Sequence, residues 1–210
     1  MKKLMVVLAV LAFACAAQAA IIAEYTFQGS VLTSSDAEAN STAGDFGVSA
    51  GSITYTTSSS AGWLAAGGLI PVADSQNNWN GASQAAAKYF SFTVTPSSGY
   101  QITITGLNFI YNVTTASAQN LGWSIGGTSY DSFARAGTTP TAYTSAAQSI
   151  VITEATTIHI DGWAATSSGG NFRLDNVVLN GNVTAIPEPA TMGLLGLGAL
   201  AMVLRRKMSK

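Results

Sequence analysis

Residues 89–95 read Tyr-Phe-Ser-Phe-Thr-Val-Thr, with Phe90, Phe92 and Val94 on one face and Ser91, Thr93 and Thr95 on the other. Successive side chains of a strand point to opposite faces, so strict period two specifies a half-buried strand with one wet face. The pattern continues outward. Gln101–Thr105 (QITIT) alternates as cleanly, Leu107–Val113 aligns Leu107, Phe109, Tyr111 and Val113, and Thr156–Ile160 aligns Ile158 with Ile160. Further strands are expected at Ile21–Phe27, Gly51–Thr56, Gly122–Ile125, Ser149–Ile152 and Phe172–Leu179. Turn formers separate them: Pro96-Ser97-Ser98-Gly99, Gly126-Gly127, Ser167-Ser168-Gly169-Gly170 and Asn180-Gly181. No long stretch has helical spacing apart from a turn around Ala82–Ala87. Short strands without intervening helices predict an all-β chain, an antiparallel β-sandwich that is jelly-roll-like. The absence of a sequence period argues against a solenoid or propeller. Thr57–Ala87, with Trp63, Trp79 and the run Ser75-Gln76-Asn77-Asn78, reads as long loops crossing one end of the sandwich.

The charge count divides the 210 residues into three parts. Only 9% are charged, against about a quarter in an ordinary soluble domain. Six of the nine basic residues lie at the ends: Lys2, Lys3, Arg205, Arg206, Lys207 and Lys210. Between them, Lys88, Arg135 and Arg173 face nine acids, a net charge of −6. Such a body excludes nucleic acid as a partner, because phosphate binding needs clustered Lys and Arg.

Residues 1–19 begin with Lys2-Lys3, continue as an apolar run from Leu4 to Ala14, and leave through Ala17-Gln18-Ala19. That layout is a secretory signal peptide, an N-terminal signal helix cleaved after Ala19 by the general secretory machinery. Its run is too short for a comfortable membrane crossing. Cys15 is the one cysteine, and Ala12 and Phe13 before it do not fit a lipidation site. Once the signal is removed, the chain has no thiol. It forms no disulfide, no thiolate nucleophile and no Cys-ligated zinc.

At the other end, residues 185–210 contain Pro187-Glu188-Pro189, the apolar Gly- and Leu-rich stretch Met192–Leu204, and the cluster Arg205, Arg206 and Lys207. As a short hydrophobic helix the stretch would be about 20 Å long, less than the ~30 Å hydrocarbon core. It suits a temporary transmembrane helix with its basic end cytoplasmic. These residues resemble the PEP-CTERM sorting signal of exported bacterial proteins. The resemblance implies recognition by an exosortase-type membrane protease and processing near the tripeptide. It further implies transient inner-membrane anchoring, then delivery to the cell surface or the extracellular matrix. Residues 20–184 are left as the sandwich domain. Its segments Gly122–Arg135 and Asn171–Gly181 resemble a body type recurrent in PEP-CTERM proteins. The latter also resembles the last strand of jelly-roll carbohydrate-binding modules.

Few residues offer chemistry. His159 is the one imidazole, and Asp161, two residues on, shares its face. A His–carboxylate pair can serve a general base, yet no Ser sits in a nucleophile elbow. The expected reading is a surface pair. Glycosidase chemistry needs two facing carboxylates, and Glu24, Asp36, Glu38, Asp45, Asp74, Asp131, Glu154, Asp161 and Asp175 are scattered. Glu24 and Asp175 fall on the first and last strands, where the resemblance to jelly-roll modules implies a structural calcium held by oxygen ligands. The alternative pairs Asp175 with Arg173 or loop amides. Trp63 and Trp79, in polar loops, are the candidate platforms for an extracellular polysaccharide, while plugging the end of the sandwich is the competing role. Trp123 and Trp163 flank strands and belong to the core. The function expected is therefore a non-enzymatic surface or matrix protein, with a carbohydrate-binding module and a glycan hydrolase as alternatives.

Overall fold

Phe90, Phe92 and Val94 are fully buried in β6 (Lys88–Pro96), and the strands predicted around it assemble as two antiparallel sheets. The computed structural model describes residues 20–28, 31–35, 38–49, 54–55, 73–75, 79–167, 169–187, 196–198 and 205. The first sheet runs β10 (Thr141–Thr144), β7 (Tyr100–Val113), β13 (Phe172–Ala185), β5 (Ala73–Ser75), β4 (Thr54–Tyr55). In it β1 (Ala20–Tyr25) also pairs with β13 and β11 (Ile150–Ile152) with β7. The second runs β2 (Ser41–Ala43), β6, β12 (Thr156–Trp163), β8 (Asn120–Ile125), β9 (Thr128–Ala134), with β3 (Gly47–Val48) also on β6. The all-β expectation holds. The strands at β2, β3, β5, β9 and β10 are additions to it.

The two alternating runs expected at 101–105 and 107–113 are one strand. Ile102 and Ile104 point into the core, and then the phase flips to Leu107, Phe109, Tyr111 and Val113. An inserted residue is what a β-bulge supplies, and the β7–β13 register does shift beside Gly106. β13 flips in the same way, from Phe172 and Leu174 to Val177 and Leu179, with a register shift between Asp175 and Val178 and Asn176 at φ 47°. Without that slip the second half of each strand would turn its apolar face to water.

The core lies between the sheets. Tyr25, Phe46 and Phe92 meet at ring separations of 4.9–6.0 Å. Trp79 sits against Phe90 of one sheet at 5.3 Å and Phe172 of the other at 4.9 Å. Each such side chain, fully buried, stabilises the fold by roughly 1.5–3 kcal/mol. The open side between the sheets is closed by Tyr143 of β10, stacked on Phe133 of β9 at 4.6 Å and donating to Asp131 Oδ2 at 2.6 Å.

The signal helix over 1–19 lies outside the described residues. Of the short C-terminal helix, residues 196–198 and Arg205 are helical, and the rest lies outside them. No helix among the described residues is long and apolar enough to cross a membrane.

Candidate functional site

β12 alternates Ile158, Ile160 and Gly162 into the core, which sends His159 and Asp161 to the outer face of the second sheet. The register places Asp161 between Tyr89 of β6 and Gly122 of β8, and His159 between Ser91 and Ser124. Here the expected surface pair is corrected. Asp161 is only 2% exposed, because the short 3-10 helix Gln84–Ala86 lies over it. The turn expected at Ala82–Ala87 is this helix.

Gln84 is the residue that sequence reasoning missed. Its Nε2 donates to Asp161 Oδ2 at 2.9 Å and to the carbonyls of Trp123 at 3.3 Å and Asp131 at 3.4 Å, while Ser129 Oγ donates to its Oε1 at 2.7 Å. The β8–β9 register shifts between Trp123 and Ser124, and the Gln84 amide lies across that irregularity. Gly122 makes room: a Cβ there would stand 2.5 Å from Asp131 O and 2.8 Å from Gln84 Nε2. The buried Asp161, the half-buried Gln84 and the exposed Ser129 thus form one connected hydrogen-bonded set.

Around this set lies a groove of about 290 Å³, lined by Gln84, Ala85, Ala87, Tyr89, Ser124, Gly127, Ser129, His159 and Asp161. The His159 imidazole lies flat on the Tyr89 ring, 3.8 Å apart and 4° from parallel. Burial pushes the His159 pKa down, with Asp161 partly opposing, so the ring favours its neutral form. Burial pushes the Asp161 carboxyl up, against the opposing effects of Gln84, Ser124 and His159. His159 is held by stacking, and among the described residues no hydrogen bond ties its ring to Asp161 or to a serine hydroxyl. Among the described residues, His159 and Asp161 form no nucleophile–base–acid relay with a serine.

The other candidates fall elsewhere. Trp79 is fully buried, so the expected sugar platform there is overturned and the competing role, plugging the end of the sandwich, is the one it has. Its backbone is fixed by Ala165 N donating to Trp79 O at 2.7 Å. Trp63 lies outside the described residues, as do Ala17, Ala19, Glu188, Pro189, Arg206 and Lys207. Pro187 and Arg205 are exposed. Trp123 is fully buried and Trp163 half-buried.

For calcium, Glu24 and Asp175 are an incomplete donor set. Ser35 Oγ donates to Glu24 Oε2 at 3.2 Å, and Asn176 N donates to Asp175 Oδ1 at 2.8 Å. Asp175 Oδ2 is buried without a hydrogen-bond partner. Among the described residues no three His, Cys, Asp or Glu side chains gather in a way that could hold a metal ion. Calcium takes six to eight oxygens, and the two acids alone do not supply them.

Comparison with known proteins bears on the tail and on the fold. Residues 185–207 match the PEP-CTERM protein-sorting motif, so the chain carries that signal, and the motif marks an exported protein handled by an exosortase-type system. Comparison with curated proteins gives no match. Among solved structures, the CBM36-1 domain of a multidomain xylanase from the hindgut metagenome of Trinervitermes trinervoides is 13% identical, with a TM-score of 0.42 over 71% of this chain and 100% of that one. A carbohydrate-binding module CBM36 in complex with calcium and xylotriose is 13% identical, with a TM-score of 0.40 over 66% and 98%. The N-terminal CBM22-1-CBM22-2 tandem domain of Paenibacillus barcinonensis Xyn10C is 12% identical, with a TM-score of 0.42 over 84% and 50%. The likeness is one of β-rich fold.

Proposed function

We propose that this is a non-enzymatic protein of the bacterial surface or extracellular matrix whose sandwich binds a glycan in the groove of the second sheet. The observation that carries the reading is the groove itself. A flat aromatic pair, Tyr89 on His159, stands beside a preorganised set of donors and acceptors from Gln84, Ser124, Ser129 and Asp161. Sugars present apolar C–H faces and a rim of hydroxyls, and such a site offers a surface for each. The non-enzymatic reading draws support from His159, whose ring is stacked rather than aligned as a base.

A glycan array with the processed protein tests the proposal. Tyr89→Ala should weaken binding roughly tenfold, about 1.4 kcal/mol, with the melting temperature little changed. Full binding by that variant would remove the groove from consideration. Incubation of the bound glycans with the protein should release no new reducing ends. Release that disappears in Asp161→Asn would instead support the hydrolase.

The sorting claim has its own test. The intact mass of the exported protein should lack Met192–Lys210. A mature form retaining those residues would refute processing.

A further inference from the structure

The tail leaves the fold without slack. β13 stays paired with β7 to its last residue, Ala185 opposite Tyr100, and then Ile186 N donates to Gly99 O at 2.8 Å. The Pro-Glu-Pro motif begins at the next residue, Pro187, which is exposed. Five residues separate Ile186 from Met192, the first of the apolar stretch. Fully extended, that segment spans at most about 20 Å. A bond cleaved at or beside the tripeptide therefore lies within about 10 Å of the β6–β7 turn. A membrane protease that cleaves there works beside that turn.

A second observation points to the same end. Ala20, the first residue after the expected signal cleavage, pairs with Gly181, only a few residues upstream of Ile186 on β13. Both segments that enter the membrane during export thus leave from one end of the sandwich. That end is held firmly. Ser97 N donates to Asn40 O at 2.9 Å, Tyr100 N donates to Ser97 O at 3.0 Å, and Ser41 pairs with Pro96. Ser97, Ser98 and Gly99 are exposed, and a Cβ on Gly99 would meet nothing within 4 Å. The neighbouring loop with Glu154 reaches the same end, since Ile152 pairs with Ile102 and Thr156 with Val94.

We propose that this end, centred on the Ser97–Gly99 turn, is the docking surface for the exosortase-type membrane protease. The protease reads the folded body together with the tripeptide, not the tail alone. The inference rests on the sorting reading above and adds the partner's footprint. The competing picture is that the last residues of β13 peel away from β7 and deliver the motif as a free strand.

The full-length precursor, expressed in a host with its sorting protease, separates the two. A six-residue Gly/Ser insertion between Ile186 and Pro187 adds slack without touching a strand. It should slow conversion of precursor to mature protein roughly tenfold, about 1.4 kcal/mol of lost docking. A photocrosslinking residue at Ser98 should give an adduct identified by mass spectrometry as the protease, and the same probe at Thr115, at the opposite end, should not. Unchanged or faster processing of the insertion variant overturns the proposal in favour of peeling. So does crosslinking at Ser98 to lipid alone, or equally at both positions. If the unaltered precursor is never processed, it is the sorting reading that fails.

Discussion

Trp79→Ala is expected to destabilise the domain by about 3–5 kcal/mol, measured by urea or thermal unfolding of the processed protein. The indole is fully buried, and it bridges the sheets by touching Phe90 on one and Phe172 on the other. Its surroundings leave little room to collapse: a Cβ on Gly162 would already stand 2.8 Å from Trp79 Cε3 and 3.0 Å from Phe172 Cδ1. The hole therefore stays open, and lost contacts add to lost transfer free energy. A domain of ordinary stability has 5–15 kcal/mol in hand, and this mature chain has no disulfide to fall back on. The variant should be close to unfolding at physiological temperature. Glycan binding would be lost with the fold rather than through a missing contact. A variant that kept its melting temperature within a degree or two while losing ligand would return Trp79 to the ligand site. Tyr89→Ala should do the reverse, keeping the fold and losing the ligand.

The contrast between Trp79 and Tyr89 shows what the sequence made legible. The alternation around Phe92 and Ile158 fixes strands and faces, because burial acts on every second residue and leaves a periodic mark. The tail is legible because a sorting signal is read as a linear string. The groove is different. Tyr89 and His159 are 70 residues apart in the chain, and only the β6–β12 register stacks them. Gln84 sits in a segment with no periodicity, and its role depends on an irregularity between β8 and β9 and on the missing side chain of Gly122. Trp79 misleads for a related reason. Polar neighbours such as Asn77, Asn78 and Asn80 suggest a wet loop, yet the backbone turns that one side chain between the sheets. Flanking composition describes the loop, whereas burial is decided by where its ends are anchored. The bulges belong to the same class. The phase flips at Gly106 and Asn176 are visible as changes of alternation, but only pairing reveals that each run is one strand rather than two.

Asp175 should make the stability of the domain depend on pH in an unusual direction for a carboxylate. It is fully buried at the β13 bulge, with Oδ1 accepting from Asn176 N at 2.8 Å and Oδ2 without a partner. Burial pushes its pKa from 3.8 up to about 6, the Asn176 amide opposing. The folded state therefore favours the protonated form, and the unfolded state releases that proton first. The contribution of Asp175 to stability is complete below about pH 4, is lost as the pH rises from about 4 to about 6, and stays absent above. A shift of about two units amounts to about 3 kcal/mol across that window. Asp161, also pushed up, acts in the same direction, whereas His159, pushed down, loses stability as the pH falls. Comparison with Asp175→Asn isolates the one group. The variant cannot ionise there, although its amide brings a buried donor that costs about 1–3 kcal/mol if unpaired. That cost does not vary with pH. The stability of the variant relative to the native protein should thus rise by about 3 kcal/mol between pH 4 and pH 7, whatever its absolute offset. A difference that stays flat across the range would mean that Asp175 Oδ2 has a charge partner when ionised, and a bound cation such as calcium would then be the first to test.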